Sequence, residues 1–275
     1  MGDKIAFVIP GTLEEALWAI PCISQHLENR LVTKRGAEKV YCFCPIPEIG
    51  HLFEACWHGM VVGNLPIPEE IRNEVDVLFE FNPEKAYFLT RSVGKHIVEA
   101  YGTLLGTVAM SMLPPIVSKA KEVPGDVLVV GRHKLDEELY TNEWDHAEDF
   151  VRMGTAFGIP ITRLDHGLDF RDMVDSIAKA SVVVGIRGTP TLVAASLGKT
   201  VMELSPDGGK GKNWMSKWED KRYRMMYGEL ADMDAIFVWE RTRILVEEVS
   251  RKKEARQWER RALAPVKEKE NVATT

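Results

Sequence analysis

The stretch from Ala180 to Leu204 contains the residue types and spacing that favour binding of an anion. An apolar run at 181–186 is typical of a buried parallel strand, and the turn Arg187-Gly188-Thr189-Pro190 follows it. We predict that a helix then runs from about Thr191 to Leu197, because proline loses no hydrogen bond at a helix start. The first turn of such a helix points N–H groups, with about half a positive charge, at whatever lies in front of it. The sequence therefore predicts an anion site, most naturally for phosphate.

The residues after this turn complete a strand–helix–strand unit. Gly198 lies where helices commonly end on a glycine, and Thr200 to Leu204 is predicted to form the next strand. Many corners of this kind in doubly wound α/β domains bind nothing, so that alternative stays open here.

A second strand–turn–helix unit lies near the amino end. Residues 4–9 are apolar and strand-like, Gly11 provides a turn, and an amphipathic helix follows with Glu14 and Glu15 in its first turn. Acidic residues favour the first helical turn through the helix dipole alone. This explanation accounts for both carboxylates without assigning either a chemical role.

The order of elements along the chain, strand then helix repeated, predicts an α/β fold with parallel sheets. We predict an amino-terminal domain at 1–120, a second domain at 121–239, a helix at 240–262 and a disordered tail at 263–275. Further predictions are a helical segment at 214–228 and a short strand at 232–239. Because open α/β sheets bind ligands at the carboxyl ends of their strands, we expect both corners to face one cleft.

Both corners resemble segments of the heptosyltransferase-like glycosyltransferases, which have the glycosyltransferase B fold. At the amino end Gly11, Leu13, Leu17 and Pro21 match the opening motif of that family in register. The resemblance implies two Rossmann-like domains whose parallel sheets face each other across a cleft, and a helix at 240–262 that packs back on the first domain. It also implies that Glu15, which stands where the family has a catalytic aspartate, is a general base for the acceptor hydroxyl. Gly11 and Thr12 would then lie on the acceptor side.

On the donor side the resemblance implies that the second corner binds the diphosphate of a nucleotide sugar. The contacts it implies are Gly188, Thr189, Pro190 and Thr191. Positive charge would come from Arg187 and, in a loop that resembles the family's nucleotide-side loop, from Arg132 and Lys134. The chain departs from the family where Arg187 replaces an aspartate, where Leu192 replaces a histidine, and where Asn142 or Glu143 replaces a lysine.

The function implied is inverting, metal-independent transfer of a sugar from a nucleotide-sugar donor to an unknown acceptor, with no cofactor besides the donor substrate. Two alternatives stay open: a non-catalytic nucleotide- or glycan-binding protein on the same scaffold, and an epimerase of nucleotide sugars. The sequence gives no indication of the oligomeric state.

Composition excludes several other classes. The net charge of −6 and a pI near 5.7 give no support to nucleic-acid binding. There is no apolar run of transmembrane length and no signal-like start, so we expect a cytoplasmic protein. The four cysteines match no zinc-finger spacing, and Asp232-Met233-Asp234 is predicted to be a surface loop and not a metal site. Leu197-Gly-Lys-Thr200 lacks the earlier glycine of a P-loop.

Overall fold

The computed structural model describes residues 2–44, 46–54, 56–109, 113–131, 144–205, 223–228 and 230–262. Within them the chain forms two parallel β-sheets with helices packed against their faces. The α/β fold class predicted from the sequence is confirmed.

The first sheet is formed by four strands in the order β3-β2-β1-β4, counted over the described residues. The strands are β1 (Asp3–Val8), β2 (Ala37–Cys44), β3 (Val61–Asn64) and β4 (Val77–Glu80). The helices of this lobe are α1 (Leu13–Val32), α2 (Gly50–Glu54), α3 (Glu69–Glu74), α4 (Pro83–Val93) and α5 (Ile97–Leu104). All the strand pairs are parallel, so every carboxyl end lies at the same edge.

The second sheet contains five described strands in the order β6-β5-β7-β8-β9. The strands are β5 (Val127–Val130), β6 (Ile161–Arg163), β7 (Val182–Ile186), β8 (Thr200–Ser205) and β9 (Tyr223–Tyr227). The helices are α6 (Ala147–Ala156), α7 (Phe170–Lys179), α8 (Thr189–Ser196) and α9 (Ala235–Ala262). These strands also pair in parallel throughout.

The two lobes share an apolar cluster where α1 meets α8. Leu13 and Leu17 from the first lobe belong to the same buried cluster as Leu192 and Val193 from the second. A short face of Ala194 and Ala195 lets α8 lie close to its neighbours, because small side chains permit close approach of helices. This packing brings together the two helices that begin at the predicted functional corners.

After β4 the described chain forms the two helices α4 and α5, separated at Gly94, which has a left-handed φ of 67°. Two elements differ from the sequence predictions. The segment 214–228 was predicted to be helical, and its described part is instead the edge strand β9, which pairs with β8. The strand predicted at 232–239 is wrong as well: Asp234 accepts a hydrogen bond from the Phe237 N–H at 2.8 Å, and this interaction caps the start of α9.

The long helix α9 packs mainly on the second lobe, against α6, β7 and β8, whereas the sequence had suggested that it returns to the first. Lys253 on α9 forms an ion pair with Glu122, which also accepts a hydrogen bond from Lys199 at 2.8 Å. This cluster ties the segment before β5, the start of β8 and the terminal helix together. The predicted domain boundaries remain predictions, and the tail at 263–275 lies outside the described residues.

Burial alone would raise the pKa of Glu122, but the hydrogen bonds and charges of Lys199 and Lys253 outweigh it and lower that pKa. A carboxyl group whose pKa falls on folding stabilises the protein above its unfolded value, and this contribution is lost as the pH falls through the folded value. Because 34% of the side chain is exposed, solvent screening keeps the effect small.

We therefore expect Glu122→Gln to lower the free energy of unfolding by about 1 kcal/mol at pH 7. The difference from wild type should shrink as the pH falls from about 5 to 3, measured by urea unfolding across that range. Glu247→Gln is the matched control, because Glu247 accepts from Arg243 and Arg251 on an exposed face of α9. A loss that is equal at pH 3 and pH 7 would contradict the prediction.

Candidate functional site

Both corners lie at the points where the strand order of their sheets reverses. In the first sheet the chain moves from β1 to β2 and β3 on one side, and then returns to place β4 on the other. In the second sheet β6 lies on one side of β5, whereas β7 lies on the other. Loops at such reversal points diverge and leave a crevice in which open α/β sheets bind ligands. α1 follows β1, and α8 follows β7, so each corner begins at a crevice of this kind.

The corner after β1 is built by a capping box. The Thr12 hydroxyl accepts a hydrogen bond from the Glu15 N–H at 3.3 Å, and Glu15 Oε2 accepts from the Thr12 N–H at 2.9 Å. Gly11, at φ 146°, makes room for this carboxylate, because a Cβ at Gly11 would lie 1.9 Å from Oε2. Glu15 is buried, with 6% of its surface exposed, whereas the neighbouring Gly11 is exposed to solvent.

The second oxygen of Glu15 is bound from across the crevice. Tyr87 on α4 donates its hydroxyl to Glu15 Oε1 at 2.8 Å. Burial, the Glu15 charge and this hydrogen bond raise the pKa of Tyr87, so the phenol keeps its proton. Burial and the same charge also raise the pKa of Tyr101, which is fully buried nearby on α5. The Tyr101 hydroxyl has no hydrogen-bond partner among the residues that the structure describes.

The corner after β7 begins α8 two residues earlier than predicted. Gly188 is the N-cap, and Thr189 and Pro190 occupy the first helical positions. The Thr191 hydroxyl accepts from the Gly188 N–H at 3.1 Å and donates to the Gly188 carbonyl at 2.9 Å. Gly198 has the left-handed φ of 71° expected at the end of this helix. The predicted strand–turn–helix is thus present.

Arg187 and two polar residues of β8 form a buried group at this corner. Val183 and Val201 pack towards α7 and α8. Because side chains alternate along β8, Glu203 and Ser205 lie on the same face of the sheet as Val201. Arg187 is 5% exposed. Its backbone N–H donates to the Leu204 carbonyl at 3.1 Å and so extends the pairing of β7 with β8. The fully buried Ser205 hydroxyl has no hydrogen-bond partner within the described part of the chain. A buried polar atom of this kind is costly unless something binds it.

All the described residues of the second corner are buried. The buried set is Arg187, Gly188, Thr189, Pro190 and Thr191. The cavities on the described surface include four of about 360 to 420 Å³ that are lined by other segments. Arg132 and Lys134 lie outside the described residues.

The surroundings of several other polar residues and of one cysteine indicate no chemical role. His96 is fully buried, accepts a hydrogen bond from the Val98 N–H at 3.2 Å and packs edge-on against Trp18. Asp232 and Asp234 are exposed, as predicted. Burial raises the pKa of Cys22 to about 12, so its thiol is unreactive.

Within the residues that the structure describes, no group of three or more His, Cys, Asp or Glu side chains is arranged to hold a metal ion. The described helices include none that combines the length and apolar character needed to cross a membrane.

Comparison with solved structures identifies the fold. E. coli ADP-heptose LPS heptosyltransferase II is 12% identical, with a TM-score of 0.61 over 89% of this chain and 99% of that chain. A family 9 glycosyl transferase from Veillonella parvula is 9% identical, with a TM-score of 0.59 over 90% and 97%. The iron-containing dodecameric heptosyltransferase TibC, solved with ADP-D-β-D-heptose, is 13% identical, with a TM-score of 0.53 over 94% and 79%. No protein-family model matches the chain, and no curated protein does.

These similarities show the fold. The chain has the two-sheet architecture of the heptosyltransferase-like glycosyltransferases, which is the glycosyltransferase B type. Identities of 9 to 13% leave the reaction and the site residues to be argued from the geometry.

Sequence reasoning did not identify Tyr87, Glu203 or Ser205 as members of these corners. A signal for Tyr87 was available, because it lies in the second turn of the helix that follows β4, beside the strand reversal. Ser205 offered a weaker signal as the last residue of a strand next to the turn that we predict to bind an anion.

We expect Gly11→Ala to displace the Glu15 carboxylate and to lower the free energy of unfolding by about 1–3 kcal/mol. The added methyl group meets Oε2, so the capping box and the Tyr87 hydrogen bond must both give way. Gly59→Ala is the control, because Gly59 also has a positive φ, of 81°, but faces open space. Urea unfolding of both variants measures the difference, and equal losses would show that the carboxylate is not displaced.

Proposed function

We propose that the protein transfers a sugar from a nucleotide-sugar donor to an acceptor hydroxyl, with Glu15 as general base and the corner after β7 as the diphosphate site. The observation that carries the proposal is the position of both corners at the strand reversals, on two helices that pack together. The heptosyltransferase fold supports the same reaction class, and TibC was solved with an ADP-linked heptose. We therefore propose an ADP-sugar as the first donor to test.

In the proposed reaction the acceptor hydroxyl gives its proton to a Glu15 carboxylate oxygen. Its oxygen forms a bond to the anomeric carbon of the sugar, while the bond from that carbon to the diphosphate oxygen breaks. The electron pair of the broken bond stays on the nucleoside diphosphate, and attack from the opposite face inverts the configuration. The capping box and Tyr87 each occupy one acceptor site on a Glu15 oxygen, and a carboxylate has about four such sites. Accepting capacity therefore remains for the substrate.

Charge developing on the leaving diphosphate is stabilised, in this proposal, by the N-terminus of α8 and by Arg187. Arginine binds phosphate oxygens in a forked geometry, and a helix start adds a partial positive charge. The buried Ser205 hydroxyl is a further donor at this corner. Because these groups supply the positive charge, we propose that the transfer step needs no metal ion.

We expect Glu15→Gln to reduce transfer by at least about 100-fold while leaving donor binding unchanged. Gln keeps the shape of the side chain but cannot take up the proton. Donor binding is measured by calorimetry with ADP-, UDP-, GDP- and CMP-sugars, and turnover by release of the nucleoside diphosphate. Glu14→Gln is the matched control, since Glu14 is equally buried in the same helical turn and its Oε1 accepts from the Trp18 indole at 3.4 Å. A protein whose Glu15→Gln variant turns over normally is not using this carboxylate as its base.

We expect Arg187→Gln to weaken ADP binding about tenfold or more, because a charged hydrogen bond to phosphate is lost. Binding of adenosine should be unaffected, since it has no phosphate. Arg163→Gln provides the control: Arg163 ends β6 at the same sheet edge but pairs with Glu148 on the surface. If the ADP and adenosine affinities fall together, Arg187 supports the fold and does not contact the diphosphate.

One observation favours a second function, a nucleotide- or glycan-binding protein without catalysis. Both oxygens of Glu15 already have structural partners, so the residue is explained without a reaction. The two functions separate in the same experiment. Donor binding without any turnover in the wild-type protein would support the binding function.

A further inference from the structure

We propose that Tyr87 is a positioning residue that keeps the Glu15 carboxylate aimed into the crevice after β1 and β4. The inference rests on the proposed function, because it assigns a role in the same reaction. Tyr87 does not contact the reacting atoms in this proposal and acts through Glu15.

The geometry shows a contact that bridges the strand reversal. α1 follows β1 and α4 follows β4, the two strands that lie side by side at the reversal of the first sheet. The 2.8 Å hydrogen bond from Tyr87 to Glu15 Oε1 joins residues that are 72 positions apart in the sequence. It fixes the carboxylate from the side opposite the capping box, which holds Oε2.

The extra methylene of glutamate makes such a second contact necessary. A glutamate side chain has one more rotatable bond than an aspartate, so a single hydrogen bond leaves its carboxylate free to turn. Two donors, one on each oxygen, remove that freedom. The Glu15 side chain folds back over Gly11, which leaves room for the carboxylate because it has no Cβ.

The phenol can hold the carboxylate only while it keeps its proton, because a phenolate has no hydrogen to donate. Burial and the Glu15 charge raise the pKa of Tyr87, so it remains a donor throughout the working pH range.

The test compares the steady-state kinetics of nucleotide-sugar turnover in Tyr87→Phe and wild type at one fixed pH. We expect kcat to fall about tenfold in Tyr87→Phe while KM for the donor stays unchanged, because the variant loses the alignment of the base and keeps the donor site. The Glu15 side-chain carboxyl is followed in ¹³C NMR at the same pH, with Glu15→Gln used to assign the resonance. That resonance should move in Tyr87→Phe, since one of the two hydrogen bonds to the carboxylate is gone.

Tyr101→Phe is the matched control. Tyr101 loses a buried hydroxyl from the same apolar cluster, but that hydroxyl has no hydrogen-bond partner in the part of the chain described here. Its kcat, its KM and its Glu15 resonance should match wild type, and urea unfolding confirms that both variants are folded.

The outcomes separate this inference from the proposed function. An unchanged kcat in a folded, active Tyr87→Phe variant overturns the positioning role, even if Glu15→Gln abolishes turnover. A moved Glu15 resonance in a protein without turnover supports the contact while the proposed reaction fails. A raised KM with unchanged kcat would also overturn the inference, since it would assign Tyr87 to substrate binding and not to the alignment of Glu15.

Discussion

The two hydrogen bonds to the Glu15 carboxylate organise the first lobe at the carboxyl ends of its strands. One oxygen completes the N-terminal cap of α1, and the other binds the helix after β4. Both helices start at the strand reversal, so this one side chain ties together the two walls of the crevice. A buried carboxylate requires such partners, because leaving a charge unpaired in the interior costs several kcal/mol. The bonds that make Glu15 a structural residue also hold it in one orientation.

The second lobe also buries polar side chains at the carboxyl ends of its strands, but through different residues. Buried polar side chains collect at the carboxyl ends of β7 and β8, beside the start of α8. Gly185 lies in the same row as Glu203 and has no room for a side chain, because a Cβ there would lie 2.0 Å from the Val130 carbonyl oxygen. Polar groups are rarely placed in such a tightly packed position without a reason, since apolar residues pack there at lower cost. Their place at the strand reversal connects them with the anion site proposed for this corner.

Several local features followed from the sequence alone because they depend on neighbours along the chain. The Gly198 cap, the strand at 181–186 and the acidic first turn of α1 are decided by residues within one or two helical turns. The failures share a cause as well. The segment ending at Tyr227 has mixed propensity, and β8 supplies an edge that it completes as a strand. At α9 the apolar run 236–239 has the composition of a strand, but the Asp234 cap and the buried side of Val238 and Leu245 make it a helix.

The sequence by itself therefore determined the fold class and the two strand–turn–helix corners, because periodicity, caps and turn residues act over short distances. The tertiary structure alone decided that α1 and α8 pack together, that Tyr87 reaches Glu15, and that Arg187 and Ser205 are both buried. These contacts join residues distant in sequence, and strand order sets them. Strand order depends on which packing buries the most apolar surface, and that balance involves the whole chain at once.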